Sequence, residues 1–118
     1  RQMCIRDRAL ALEDMGKRDF REILSRMIVL IAHLLKWIFQ PDQRSSGWTG
    51  TINEQRLQLD LVFDDSKNLE NYGQENFLKA YEKARGLASR DTGLPLSTFP
   101  EKPPFSFEEA VDENYLPE

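Results

Sequence analysis

The chain has 118 residues, 40% hydrophobic and 31% charged, with a formal net charge of −4. That is room for one domain and one modest core. One cysteine, Cys4, and one histidine, His33, exclude an internal disulfide, a cysteine-rich zinc site and any multi-histidine metal centre.

Charge is uneven along the chain. Residues 1–56 hold 10 Lys/Arg against 7 Asp/Glu, and residues 57–118 hold 6 against 13. The acidic second half argues against nucleic-acid binding, which needs clustered positive charge. The run Met27–Phe39, MIVLIAHLLKWIF, is the most apolar stretch. It is too short to span a bilayer and carries His33 and Lys36, so no membrane association is expected. There is no signal peptide pattern, and the cytoplasm is the default compartment.

The first eight residues, RQMCIRDR, look foreign to the rest of the chain. Met3–Asp7 back-translates to ATG-TGT-ATA-AGA-GAC, and with the flanking AG dinucleotides this resembles the transposon end used in sequencing-library preparation. Residues 1–8 are therefore expected to be non-native, with 9–118 forming a single helical domain.

In chain order, Ala9–Met15 has helical composition, and Gly16 is positioned to close it as a left-handed cap. Lys17–Gln40 is the long helix, ended by Pro41. It is apolar on nearly every side, which requires neighbours on more than one face. Ser45–Gly50 reads as a Ser/Gly turn containing Trp48, with Thr49 or Thr51 capping a helix to about Asp64. Its main stripe is Ile52, Leu59, Val62 and Phe63, with Gln55 and Arg56 on the flanks. Ser66 caps a fourth helix, about Lys67–Arg90. Thr92–Pro104 contains four prolines and lies extended, with Leu94, Leu96 and Phe99 against the bundle. Ser106 and Glu109 form a capping box for a short helix to about Asp112. No strand pattern is present. The expected fold is all-α: an antiparallel bundle of three substantial helices, an N-terminal helical remnant and an irregular C-terminal arm, 92–118, with a short helix.

From Glu13 onward the landmarks are EDMG at 13–16, HLLKW at 33–37, Pro41, RSSGWTGTINEQR at 44–56, Ser66–Leu69, AYEKAR at 80–85, TGLP at 92–95, FP at 99–100 and YLP at 115–117. In order and spacing they resemble a bacterial family known only as domain of unknown function 29. The resemblance implies an all-helical bacterial protein and supplies no activity. It also implies further helical residues ahead of Glu13, so the chain is expected to be a fragment lacking N-terminal helices.

Two clusters carry polar residues worth weighing. His33, Lys36 and Trp37 lie within one helical turn. His33 could act as a base in a pocket, but a buried structural histidine is the simpler reading. Arg44, Trp48, Gln55 and Arg56 cluster around the turn at 41–56, where two arginines and a tryptophan could bind phosphate or carboxylate. The competing reading is an interhelical clamp onto helix-end carbonyls or onto Glu13 and Asp14, with Trp48 buried as its anchor. Asp64 and Asp65, like Glu13 and Asp14, are adjacent on a helix and point apart, which fits surface charge better than metal binding. Asp91–Thr92–Gly93 reads as a helix stop. No catalytic set, cofactor motif or metal site emerges. The leading expectation is a non-enzymatic protein-interaction module of a bacterial cytoplasmic protein. It would meet a protein partner or a second copy through an exposed apolar face beside Leu30 and Trp37. The alternative is a small enzyme or anion-binding protein using Arg44, Arg56 and His33.

Overall fold

The computed structural model describes the backbone of residues 2–118 and the side chains of residues 16–118. Five helices follow in order: α1 (Gln2–Phe39), α2 (Ser46–Asp65), α3 (Lys67–Glu75), α4 (Phe77–Thr92) and α5 (Phe107–Val111), with 3-10 turns at Pro41–Gln43 and Leu96–Thr98. No strand occurs among the described residues, and none of their helices is long and apolar enough to cross a membrane.

The bundle runs up, down and up. Arg26 of α1 reaches Gln55 of α2 at 3.2 Å. Phe20 stacks on Tyr72 of α3, and Lys36 pairs with Asp91 at the far end of α4. α2 is thus antiparallel to α1, while α3 and α4 return alongside α1. Ile23, Met27, Leu30, Ile31, Leu34 and Leu35 of α1 are buried, and Ala32 with them. This helix is covered on more than one side, as its apolar circumference requires. Ala80, Ala84 and Ala88 line α4 where it meets α1; their small side chains permit close approach.

The C-terminal arm completes the core. Phe99, Phe105, Phe107 and Ala110 are buried, and Leu94 is half-buried, but Leu96 is 47% exposed. Phe99 meets Phe39 edge-on at 5.6 Å, and Phe105 lies edge-on to Phe77 and Tyr81. α4 holds this arm by polar bonds as well: Tyr81 Oη donates to Pro100 O at 2.6 Å, and Arg85 donates to Phe99 O and Leu96 O. The Ser106–Glu109 capping box is present in both directions.

Four expectations about the elements need correction. Gly16 caps nothing, since α1 runs through it without a break. A helical glycine costs only about 1 kcal/mol against alanine, too little to stop a helix flanked by good formers. The fourth helix is two: Asn76 interrupts it, with Nδ2 donating to Tyr72 O at 2.9 Å and Phe77 turned into the core. α2 begins earlier than expected. Ser45 is its cap, accepting from Trp48 N, so Ser46–Gly50 is the first turn of the helix rather than a loop. Leu30 is fully buried and Trp37 is partly buried, so neither residue itself opens an apolar face to solvent. The character of residues 1–8 and of Glu13 and Asp14 lies outside the described side chains.

Gly73 and Gly93 have specific roles. A Cβ at Gly73 would lie 3.0 Å from Phe63 Cζ and 3.3 Å from Phe107 Cε1, so its absence lets α3 settle on both rings. Gly93 has φ +75° and closes α4, its N–H bonding Ser89 O at 2.9 Å.

Candidate functional site

The polar residues singled out from sequence are distributed over separate places. At the C-terminal end of α1, the Arg44 guanidinium stacks 4.6 Å over the Trp37 ring. Its Nε donates to Trp37 O at 2.8 Å and its Nη2 to the backbone oxygen of Glu118 at 2.7 Å. Trp37 Nε1 donates to Pro117 O at 2.8 Å. Together they fasten the 115–118 segment to the end of α1, where helix carbonyls lack intrahelical partners.

One turn back, His33 Nδ1 lies 2.8 Å from Val29 O. A carbonyl only accepts, so the neutral ring carries its proton on Nδ1. Burial lowers the His33 pKa, the bond to Val29 opposes this, and the Lys36 charge lowers it further. Lys36 is 8% exposed and its ammonium bonds Asp91 at 2.8 Å, an ion pair joining the ends of α1 and α4.

Arg56 is 5% exposed in the middle of α2. Its Nε donates to Ala110 O at 2.8 Å and its Nη2 to Glu109 O at 3.5 Å, tying α5 to α2. Burial pushes its pKa down, and Asp112 pulls it back up. Gln55, beside it in sequence, turns to the opposite interface and accepts from Arg26 Nη1. Trp48 is partly buried, short of the full burial expected of it. Arg44, Gln55 and His33 thus bond three different places along α1, Trp37 O, Arg26 and Val29 O, while Arg56 bonds α5, and none of the four shares a partner. Among the described grooves, none is lined by more than one of Arg44, Arg56 and His33.

A groove lies along α2. It has a volume of about 310 Å³ and is lined by Asn53, Arg56, Leu57, Asp60, Val111 and Glu113. Arg56 is the buried member of this lining. On the outer rim Leu57 and Leu61 are each 53% exposed. They are four residues apart and so lie one above the other on the helix. Asn53, Asp60 and Asp64 are exposed along the same stripe. Among the described residues, neither Asp60, Asp64 nor Glu113 has a basic side chain within ion-pair distance. Sequence reading missed this face because it looked for chemistry at the arginines and for apolar stripes facing inward. The available signal was a leucine pair four apart, displaced from the Ile52–Leu59 stripe by more than a quarter turn.

No group of three or more metal-ligating side chains occurs among the described residues. No curated protein and no solved structure matches the chain. Residues 9–116 match the family described as Domain of unknown function DUF29. That match spans nearly all of the bundle and the arm, and the chain belongs to this family.

Proposed function

We propose that this chain is a non-enzymatic protein-interaction module of the bacterial cytoplasm, docking through the outer face of α2. The observation that carries the reading is the exposed Leu57–Leu61 pair beside the Arg56 groove. An isolated exposed leucine is ordinary. Two stacked on one helix face, continuous with a groove and edged by exposed carboxylates, form the kind of rimmed apolar patch that meets another protein. The other conspicuous polar groups support the reading by their occupation. His33, Lys36, Trp37, Arg44 and Arg85 are all bonded within the fold.

The second reading, an anion site, has one observation in its favour: Arg56 lines the groove. Asp60 and Glu113 line it too, and two carboxylates beside a guanidinium work against capture of a free anion.

One experiment separates the two. A photo-crosslinking residue replacing Leu61 gives discrete protein adducts in bacterial cells, while one at Lys102 on the arm gives none. If the Leu61 position yields no adduct, and phosphate-bearing metabolites raise the Tm in a manner abolished by Arg56→Ala, the anion-site reading replaces this one.

A further inference from the structure

The charge around the α2 groove restricts what can dock there. Asp60 and Asp64 are exposed on the same stripe as Leu57 and Leu61, and Glu113 closes the groove from the segment after α5. Asp112 is exposed beside it, its carboxylate accepting from Asn114 N. None of these carboxylates has a cationic side chain within 4.0 Å among the described residues. Arg56 is the basic side chain lining the groove, and its buried guanidinium is already committed to two α5 carbonyls. An acidic partner would bring like charges together over apolar surface. A neutral apolar partner would strip water from carboxylates without replacing it.

Resting on the docking reading above, we propose that the occupant is a basic amphipathic segment of a partner protein. Its apolar side chains cover Leu57 and Leu61, and its Lys or Arg side chains pair with Asp60, Asp64 and Glu113. A guanidinium has five N–H groups, so Arg56 keeps donors for a backbone carbonyl of that segment. The acids supply orientation and rapid encounter, and the leucines supply the buried area.

The test uses the full chain and three synthetic peptides of about 18 residues, long enough to form a helix. The first places leucines four apart with lysines flanking them. The second replaces lysine by glutamate, and the third keeps lysine but replaces leucine by serine. Titrations are followed by amide chemical shifts. The first peptide is expected to bind saturably, with shifts centred on Asn53–Asp64 and Val111–Glu113. Its affinity exceeds that of either other peptide by roughly tenfold, the sum of a few exposed ion pairs or of one leucine contact. Asp60→Lys with Asp64→Lys, which suits the helix dipole near the end of α2, reverses the preference toward the glutamate peptide. Shifts elsewhere, or no saturable binding, overturn the proposal. Preferential binding of the glutamate peptide to this same face overturns the basic partner while leaving the docking surface standing. Equal binding of the lysine and glutamate peptides does so too.

Discussion

Replacing Arg56 by alanine removes the side-chain bonds that tie α5 to α2. The strong one is Nε to Ala110 O at 2.8 Å; the contact from Nη2 to Glu109 O at 3.5 Å adds little. A hydrogen bond from a charged donor contributes about 1.5–3 kcal/mol. Truncation also withdraws the buried methylenes of a side chain that is 5% exposed, each contributing about 0.8 kcal/mol. Water entering from the adjoining groove can satisfy the two freed carbonyls, which offsets part of the loss. The expected net cost is about 2–4 kcal/mol, a sizeable share of the roughly 5–15 kcal/mol that stabilises a small domain. Urea unfolding measures it as a lower midpoint at unchanged m-value. Hydrogen exchange locates it, with protection falling in 105–117 before it falls in α1 or α4. Arg56→Lys should lie between, since an ammonium keeps the charge and loses the fork. A loss below about 1 kcal/mol, the scale of a surface change, with protection of 105–117 unaltered, would refute the reasoning.

Gly73→Ala gains helix propensity of about 1 kcal/mol but drives a methyl to 3.0 Å from Phe63 Cζ. Overpacking of about 1–3 kcal/mol should win, and thermal melts should show a lowered Tm; a raised Tm would mean that both rings yield freely. Trp48→Ala should cost less than the roughly 3–5 kcal/mol of a fully buried aromatic, because the indole is only partly buried; a loss of that full size would contradict the observed burial. His33 has a lowered folded pKa, chiefly from burial. As pH falls below about 6.5, the unfolded chain takes up the proton first and stability declines until the folded ring also protonates. His33→Gln should flatten the Tm profile in that window, and a wild-type Tm that rises on acidification through it would have the wrong sign.

How much of this was legible in the sequence depended on the range of the interaction. Pro41, Ser66 and the Ser106–Glu109 box act on neighbouring residues, and each marks an element boundary. The apolar circumference of Met27–Phe39 correctly implied a helix covered on several sides. Gly16 misled because a local cost of about 1 kcal/mol is absorbed by a 38-residue helix. Asn76 was invisible as a break, because the interruption depends on Phe77 finding Phe105 and Phe107 across the core. The partners of Arg56 lie more than fifty residues away, and Asp91 is as distant from Lys36. No spacing rule reaches that far. Grouping Arg44, Gln55 and Arg56 as one cluster treated nearness in sequence as nearness in space. Arg44 precedes α2, and Gln55 and Arg56 leave the same helix toward different neighbours.

The claim that the outer face of α2 is a docking surface is tested most directly by Leu57→Ser in a chain carrying the photo-crosslinker at position 61. Leu57 is 53% exposed, so the substitution should leave Tm within about 1–2 °C, as expected for a surface change under about 0.5 kcal/mol. The yield of adducts from position 61 should fall severalfold at the same time. Adducts that persist at full yield in a chain with unchanged Tm would contradict the account.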